Sequence, residues 1–292
     1  MKCRLCGGKA ILRRDRGDLS LHGCPLCGFI SGLPAEDLAV VDRYAHDYER
    51  AAPPAPDARY AEWLAHAEAE VGVGRLLEVG AGRGGFVRNA LRRGWATSAT
   101  EVSLSGLEEL RRTEATVFAG DVTEAGYPGA HFDLVVSLEV LEHLPDPMAH
   151  LREFLRITRP GGLLLLTTPN FRGLSGRWLG LRWRVVTPEH LGYFSPPTLT
   201  GALREAGYQR IQVRSRSLDI STWRSSLRSA TPHFDPHASA RLRDSVECSG
   251  TLRPLKEAVN AVLDITGLGD SLLAWARRGN SAVTRGCIES RR

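Results

Sequence analysis

The chain has 292 residues, of which 42% are hydrophobic and 24% charged, with a formal net charge of +5 and a pI near 9.0. It is longer than one domain of about 100–200 residues, and this mildly basic charge does not by itself indicate nucleic acid as a partner. Its apolar runs are far shorter than the roughly 20 residues of a membrane span, and no signal-peptide pattern is seen. We therefore expect a cytoplasmic protein with a core domain, appended segments and no membrane partner.

Two Cys-x-x-Cys pairs lie near the N-terminus. The four residues are Cys3, Cys6, Cys24 and Cys27. Their spacing is typical of two zinc knuckles that hold one ion between four thiolates. We expect residues 1–33 to form a zinc-ribbon-like segment with a structural Zn²⁺, because four sulfur ligands leave no coordination position open. The alternatives are two disulfides or four buried thiols, and disulfides are disfavoured without a secretory signal.

Residues 34–70 are expected to form a helical linker. A first helix begins near residue 34, and Tyr44 and Tyr48 lie on one of its faces at a spacing of four. These tyrosines either cover a ligand of the core domain or pack between that domain and the ribbon. A proline-rich connector at 51–56 then precedes a helix at 58–70 that is rich in alanine and glutamate.

The most informative motif follows a strand predicted at 75–79. It contains Gly80, Gly82, Gly84 and Gly85, which predict a sharp turn where the backbone can approach a ligand closely. With Glu101, the same glycines also match the dinucleotide-binding fingerprint. Glu78 argues against that alternative, because a carboxylate beside the loop repels a pyrophosphate and attracts an ammonium or sulfonium cation.

From residue 75 onward, strands and helices alternate as a parallel α/β sheet requires. The predicted strands cover 75–79, 97–101, 116–119, 132–138, 163–168 and 208–213, and the predicted helices cover 85–93, 104–113, 147–157 and 196–206. Ligands of such sheets bind at the carboxyl ends of the strands. Acidic residues fall near several of these ends, namely Glu78, Glu101, Asp121 and Glu139.

In the order and spacing of these segments, the chain resembles the class I S-adenosylmethionine-dependent methyltransferases, whose first motif reads acid-x-Gly-x-Gly-x-Gly, as Glu78–Gly84 does. The resemblance implies an α/β fold with a Rossmann-like seven-stranded sheet and helices on both faces. It also implies an antiparallel seventh strand, for which Leu272–Ala276 is our candidate. The cofactor-binding residues implied are Glu78, Gly80, Gly82, Gly84, Glu101, Asp121, Val122 and Leu138, with Glu101 on the ribose hydroxyls and Asp121 and Val122 at the adenine.

The resemblance also suggests the division of the chain. We expect the methyltransferase core at 71–214, an insertion at 215–266, the final strand at 267–280 and a tail at 281–292. The first part of the insertion is expected to be mobile and its last helix, near 252–265, to dock on the core. Some small-molecule methyltransferases, including sugar C-methyltransferases of antibiotic pathways, are similar in carrying an N-terminal four-cysteine segment.

Two histidines are candidate catalytic bases. His143 and His190 follow motif segments at the active face, and histidine titrates near neutral pH. Together with Glu139 and Glu142 they resemble the metal-binding constellation of ubiquinone-pathway O-methyltransferases and of small-RNA 2′-O-methyltransferases, which implies a possible Mg²⁺ site. The alternative for each histidine is a hydrogen-bonded structural role, and for Glu142 and His143 a role in packing and loop geometry.

Residues 170–187 are predicted to form a lid. The lid carries Arg172, Arg177, Arg182 and Arg184 beside Trp178 and Trp183, a combination that can bind a phosphate, a carboxylate or a base. The alternative is a solvated basic loop.

We expect a methyltransferase that acts on a small-molecule acceptor, at oxygen, by in-line displacement. The alternatives are a metal-assisted RNA 2′-O-methyltransferase, disfavoured by the lack of a recognisable RNA-binding domain, and a non-catalytic zinc-ribbon docking protein. The sequence leaves the oligomeric state open.

Overall fold

The computed structural model describes residues 1–35, 58–218 and 253–280. The strands are β1 (Ile11–Asp15), β2 (Leu19–Gly23), β3 (Ile30–Pro34), β4 (Arg75–Val79), β5 (Ala96–Glu101), β6 (Thr116–Ala119), β7 (Phe132–Leu138), β8 (Thr158–Pro169), β9 (Gly192–Tyr193), β10 (Tyr208–Arg216) and β11 (Ser271–Arg278). The helices are α1 (Ala58–Val71), α2 (Gly85–Arg92), α3 (Leu104–Leu110), α4 (Pro147–Ile157), α5 (Leu174–Leu179), α6 (Pro196–Ala206) and α7 (Arg253–Thr266). Tyr44, Tyr48, the first part of the predicted insertion and the tail lie outside the described residues.

The larger sheet has seven strands in the order β10-β11-β8-β7-β4-β5-β6. The strands from β8 to β6 pair in parallel, whereas β11 runs antiparallel to both β8 and β10. The expected Rossmann-like sheet is therefore confirmed, and the candidate seventh strand is β11. The reversal of strand order between β4 and β7 creates a crevice at the carboxyl ends of these strands.

Alternate side chains of the central strands face opposite layers of the core. Leu76, Leu134 and Leu165 pack with Trp63 and Phe86 beneath α1 and α2. Their neighbours Leu77, Val135 and Leu164 pack with Leu151, Phe154 and Leu203 beneath α4 and α6. Because both faces of the sheet are covered, these strands read as continuous apolar runs in the sequence.

Strand β8 begins earlier than the sequence indicated. We expected a strand at 163–168, but β8 already pairs with β7 at Thr158. The pairing continues across an irregularity that contains Gly161, whose φ is +76°. An apolar pattern cannot reveal a strand that passes through a bulge, since prolines and glycines at such positions normally indicate a turn.

The smaller sheet joins the N-terminal ribbon to the main domain. Its order is β1-β2-β3-β9, and β9 follows the lid along the chain. Ile30 and Ser31 of β3 pair with Tyr193 and Gly192. Close beside this pairing, the Phe29 and Phe194 rings meet at 4.9 Å between centroids. The ribbon and the main domain therefore share a hydrogen-bonded edge and a continuous apolar core.

The lid is anchored at its first residue. Asn170 is fully buried, and its side-chain amide donates to the carbonyl oxygens of Gly267 and Gly269 at 3.0 and 2.7 Å. Asp270 accepts hydrogen bonds from the backbone and hydroxyl of Ser175 at 2.9 and 2.7 Å. The connection between α7 and β11 thus holds the start of the lid.

Among the described residues, no helix combines the length and apolarity needed to cross a bilayer.

Candidate active site

The glycine loop lies at the carboxyl end of β4. Gly80, Gly82 and Gly84 have φ angles of +66°, +52° and +73°, a region that other residues rarely adopt. The amides of Gly80 and Ala81 both donate to the carbonyl of Thr100, at 2.9 and 3.0 Å. A Cβ atom at Gly80 would lie 2.6 Å from Cγ2 of Val140, so a side chain there has no room. The loop therefore depends on glycine for both its conformation and its packing.

Glu101 joins this loop to the end of β5. Its side chain is buried, and Oε2 accepts a hydrogen bond from the amide of Gly82 at 2.6 Å. Its Oε1 accepts from the amides of Val102 and Ser103, at 2.9 and 2.7 Å. These backbone amides orient the carboxylate in the crevice, while a carboxylate retains further lone pairs that can accept from a ligand.

Glu78 is the second buried acid of the loop. Its Oε2 accepts a hydrogen bond from the amide of Val87 in α2, at 3.1 Å. Burial, and then the neighbouring charge of Glu101, raise the pKa of Glu78 well above its ordinary value. Two carboxyl groups in one water-poor crevice favour a positively charged ligand, which would offset both burial and repulsion.

Asp121 is held by a histidine that the sequence did not single out. Its Oδ2 lies 2.9 Å from Nε2 of His150, and its Oδ1 accepts from the amide and hydroxyl of Thr123 at 2.8 and 2.6 Å. Burial raises the pKa of Asp121, but the hydrogen bonds from His150 and Thr123 outweigh it and bring the pKa to about 2. Asp121 is therefore ionised throughout the neutral range.

Both ring nitrogens of His150 face acceptors. Nδ1 lies 2.8 Å from the carbonyl oxygen of Asp146, and Nε2 faces the Asp121 carboxylate. Since neither partner can donate, both nitrogens must carry hydrogen, and His150 is an imidazolium cation. Burial lowers the pKa of His150, but the hydrogen bonds to Asp121 and Asp146 reverse the effect and raise it above its ordinary value.

The two apolar residues predicted to contact the cofactor differ in position. Val122 is fully buried in the core layer that contains Val79 and Leu141. Leu138 is only partly buried, at the carboxyl end of β7. The structure thus joins Glu101 to the glycine loop by a hydrogen bond and places Glu78 close to Glu101, while the cofactor contacts of all these residues stay predictions.

A second cluster brings together Glu142, His143 and His190. One candidate ligand atom from each lies within 4.8 Å of the others. The two imidazole rings meet edge to face at 4.4 Å between centroids. The hydroxyl of Thr168 donates to Oε2 of Glu142 at 2.9 Å, and Nδ1 of His143 lies 3.2 Å from the carbonyl of Glu189. These contacts hold the cluster at the ends of β7 and β8.

Burial controls the charges of this cluster. It raises the pKa of Glu142 well above its ordinary value, and the charge of Glu139 raises it further. Burial lowers the pKa of His143 to about 4 despite the Glu189 carbonyl. It also lowers the pKa of His190, as does neighbouring His143. Both imidazoles are therefore neutral at pH 7, the form in which histidine binds a metal.

Glu139 lies beside this cluster at the edge of the crevice. Its φ of +54° is unusual for a residue other than glycine. Its amide donates to the carbonyl of Thr167 at 3.1 Å, which keeps the turn next to β8. Of the four residues expected to bind Mg²⁺, three converge in one group of ligand atoms, and Glu139 interacts with the Glu142 carboxyl.

The four cysteines converge at the tip of the ribbon. All are free thiols, and their sulfur atoms lie within 4.8 Å of one another. Sγ of Cys3 lies 3.7 Å from that of Cys27, and Sγ of Cys6 lies 3.5 Å from that of Cys24. Backbone amides approach three of the sulfurs: those of Leu5 and Cys6 on Cys3, those of Leu26 and Cys27 on Cys24, and that of Phe29 on Cys27. This is the arrangement expected of two knuckles.

Two of the supporting residues could have been found from the sequence. Asp146-Pro147 is a helix start, and it places His150 in the first turn of α4, next to the end of β6 in a sheet of this order. Thr168 precedes the end of β8, opposite the motif that contains Glu142. No local signal predicted the pairing of β9 with the ribbon, because β9 has only two residues.

We expect His150 to titrate above its ordinary pKa of 6.5, because Asp121 and the Asp146 carbonyl stabilise its charged form. The stabilisation from His150 should be complete below pH 6.5 and be lost as the pH rises through its raised pKa. That from Asp121 should be complete above pH 3.8 and be lost as the pH falls toward about 2. NMR of the imidazole ring measures the first transition. Asp121→Asn should lower the pKa of His150 and Asp18→Asn should leave it unchanged; a pKa at or below 6.5 in the native protein would contradict the assignment.

Comparison with known proteins agrees with this geometry. The family model described as a methyltransferase domain matches residues 41–213, more than half of the chain. The ubiquinone biosynthesis O-methyltransferase of Ruegeria pomeroyi is 30% identical over 174 residues, which cover 52% of this chain and 67% of the relative. The malonyl-[acyl-carrier protein] O-methyltransferase of Serratia marcescens is 31% identical over 159 residues, or 49% of this chain and 62% of the relative.

Solved structures share the fold at low sequence identity. A SAM-dependent methyltransferase from Archaeoglobus fulgidus superposes with a TM-score of 0.53 at 16% identity, over 77% of this chain and 95% of that one. Phosphoethanolamine N-methyltransferase 2 of Haemonchus contortus, in complex with S-adenosyl-L-methionine, gives 0.54 at 15% identity, over 92% and 71%. With the family model, the strand order and the acidic glycine loop in agreement, the chain belongs to the methyltransferase-domain family and is a class I S-adenosylmethionine-dependent methyltransferase.

Proposed function

We propose that the protein transfers a methyl group from S-adenosylmethionine to an oxygen atom of a small-molecule acceptor. The observation that carries the cofactor assignment is the pair of buried acids, Glu78 and Glu101, on either side of the glycine loop. Both lack a neutralising ion pair in the part of the chain that the structure describes. The ammonium and sulfonium groups of S-adenosylmethionine would supply the missing positive charge.

The acidic residues divide between the parts of this cofactor. Glu101 accepts from backbone amides of the loop and presents its remaining lone pairs to the ribose hydroxyls. Ionised Asp121 is suited to accept a hydrogen bond from the adenine amino group, and His150 keeps it ionised and oriented. Glu78 lies where the ammonium group of the methionine moiety is expected. These roles follow from the motif positions and from the charge of each residue.

The relatives support oxygen as the acceptor atom. Two of them are O-methyltransferases, named for ubiquinone biosynthesis and for malonyl-[acyl-carrier protein]. A further relative, from Methylococcus capsulatus, is a tRNA U34 carboxymethyltransferase, 32% identical over half of this chain and 47% of its own length. Since this chain spans only about half to two thirds of these proteins, its own acceptor is a matter for experiment.

Catalysis requires little from the protein beyond alignment and proton removal. The bound cofactor supplies a methyl carbon already activated by its sulfonium, and displacement must occur in line with the departing sulfur. We place the acceptor hydroxyl beside His143 and His190, at the ends of β7 and β8, where a neutral imidazole takes up the hydroxyl proton unless it binds the cation proposed next.

A divalent cation fits the second cluster. The buried Nδ1 of His190 has no hydrogen-bond partner among the described residues, and candidate ligand atoms of Glu142 and His143 lie within 4.8 Å of a ligand atom of His190. The two carboxyl groups suit Mg²⁺ or Mn²⁺, and the two neutral imidazoles favour a transition-metal ion. When bound, such an ion would lower the pKa of an acceptor hydroxyl. We propose Glu139, Glu142, His143 and His190 as its ligands.

The cysteine cluster fits a structural Zn²⁺. A tetrahedral site with Zn–S bonds of about 2.3 Å has sulfur atoms about 3.8 Å apart, close to the 3.5 and 3.7 Å of the two shortest pairs. Four thiolates leave no position for substrate. We propose that Cys3, Cys6, Cys24 and Cys27 bind zinc and that the ion stabilises the ribbon, which is too short to bury enough apolar surface alone.

Glu101→Gln is expected to weaken S-adenosylmethionine binding by about 10- to 100-fold, because one uncharged amide replaces an acceptor of charge-assisted hydrogen bonds worth about 1.5–3 kcal/mol. Titration calorimetry measures the affinity, and thermal denaturation shows whether the fold is retained. Glu108→Gln, on the exposed side of α3, is the matched control. An unchanged affinity for Glu101→Gln would remove the basis of the cofactor assignment, and a native protein without any affinity would favour the docking-protein alternative.

Glu142→Gln is expected to lower kcat by at least about tenfold while S-adenosylmethionine affinity changes by less than about twofold, because the metal ligands lie outside the glycine loop. A screen of phenols, sugars and carboxylates with a radiolabelled methyl donor first identifies an acceptor. Glu205→Gln, on the surface of α6, serves as the control. Full activity of Glu142→Gln, or of protein stripped of divalent ions, would exclude the catalytic metal.

One zinc per chain is expected in metal analysis of the purified protein. Cys24→Ser should lose the ion and lower Tm by on the order of 5–10 °C, because ligation supplies folding free energy to the ribbon. Cys287→Ser, a cysteine outside the two pairs, should retain zinc and an unchanged Tm. Stable, zinc-free protein with four reduced thiols would support the buried-thiol alternative instead.

A further inference from the structure

A cleft of about 350 Å³ lies at the junction of the ribbon and the lid. Its apolar part is formed by Ile30 of β3 and Phe171, with Gly176 of α5. Three arginines complete its lining, namely Arg14, Arg172 and Arg177. We call this feature the ribbon–lid cleft. Arg14 comes from β1, so neither the ribbon nor the lid forms the cleft alone.

The three arginine side chains lie close to neighbouring backbone. Nε of Arg177 donates to the carbonyl of Arg172 at 2.8 Å, which leaves its two terminal amino groups for a ligand. Nη1 of Arg14 lies against Gly180, whose φ of +54° and lack of a side chain admit it. Nη2 of Arg172 lies 4.0 Å from a Cβ built at Gly28, next to the second cysteine pair.

The positive charge of the cleft is not balanced nearby. Within residues 1–35, 58–218 and 253–280, no ion pair joins these three side chains to a carboxylate, whereas Arg16 pairs with Asp18 at 2.8 Å. All three side chains are exposed. Arginine forks around an apolar floor match the geometry of phosphate oxygens, which accept paired hydrogen bonds from guanidinium groups.

The cleft is connected to the proposed catalytic cluster. Phe171 contacts Tyr193 with ring centroids 5.2 Å apart, and Tyr193 lies 6.3 Å from the His190 ring. Arg172 follows the carboxyl end of β8 by three residues, on the side of the sheet where the cofactor loop lies. The cleft therefore lies at the same edge of the sheet as the cofactor loop, and the packed rings of Phe171 and Tyr193 separate it from His190.

We propose that the ribbon–lid cleft binds the phosphate or diphosphate group of a phosphorylated small molecule. The volume matches the lower range of small-molecule sites, about 300–1,000 Å³. This anion site does not depend on the proposed function. The apolar floor leaves room for a sugar or nucleoside attached to the phosphate.

Titration calorimetry of the full-length protein with inorganic pyrophosphate tests the site. Saturable binding is expected, and Arg14→Gln and Arg172→Gln should each raise Kd by at least about tenfold, equivalent to 1.4 kcal/mol. Arg172→Lys keeps the charge without the fork and should lose less. Arg152→Gln, an exposed arginine on α4, is the matched control and should change Kd by less than about twofold.

Titrations with further ligands identify the source of the phosphate. If uridine diphosphate binds more tightly than pyrophosphate, the apolar floor contacts the nucleoside. If the two affinities are equal, the cleft recognises the phosphates alone. Both results support the proposal. Absence of saturable pyrophosphate binding, or an equal loss in Arg152→Gln, would overturn it. Displacement of pyrophosphate by a single-stranded RNA, with a steep salt dependence, would also overturn the proposal. S-adenosylmethionine affinity is measured in the same samples, so failure of the proposed function is seen separately.

Discussion

Two carboxyl groups buried around a backbone turn are the constraint on which the candidate active site depends. Glu101 accepts the amide of Gly82, and Glu78 accepts the amide of Val87, so each acid helps to position the loop. Burial of negative groups is unfavourable unless a positive partner is present. The described residues offer these two carboxyl groups backbone amides but no ion pair. A bound ligand would therefore have to supply the positive charge. Affinity for a cation and the shape of the loop therefore have the same physical origin.

The main sheet and this loop could be predicted because their determinants are local. An apolar strand, glycines with positive φ and an acid at the strand end all lie within ten residues, and β11 contains the apolar run Leu272–Ala276 to which the family resemblance pointed. The start of β8 could not be predicted, since its pairing passes through Gly161. The position of His150 beside Asp121 needed the order of strands as well as the sequence of α4.

Interactions between the ribbon and the lid could not be predicted for a different reason. Strand β9 has two residues and exists because β3 offers it an edge, and Arg14 reaches the lid because Gly180 has no side chain. Such contacts join segments more than 150 residues apart and leave no periodic pattern. Sequence reasoning found the cysteine pairs and the arginines of the lid, while the meeting of Arg14 with Arg172 and Arg177 at one cleft is visible only in the fold.

The backbone pairing of β3 with β9 limits how freely the N-terminal segment can be exchanged. The amide of Gly32 donates to the carbonyl of Leu191 at 2.9 Å, and a Cβ at Gly32 would lie 2.5 Å from the carbonyl oxygen of His190. A chimera that transplants the ribbon to another catalytic domain would have to bring residues 190–194 with it. Gene fusion alone would not create such a joint, so the two parts must be inherited, or engineered, as one unit.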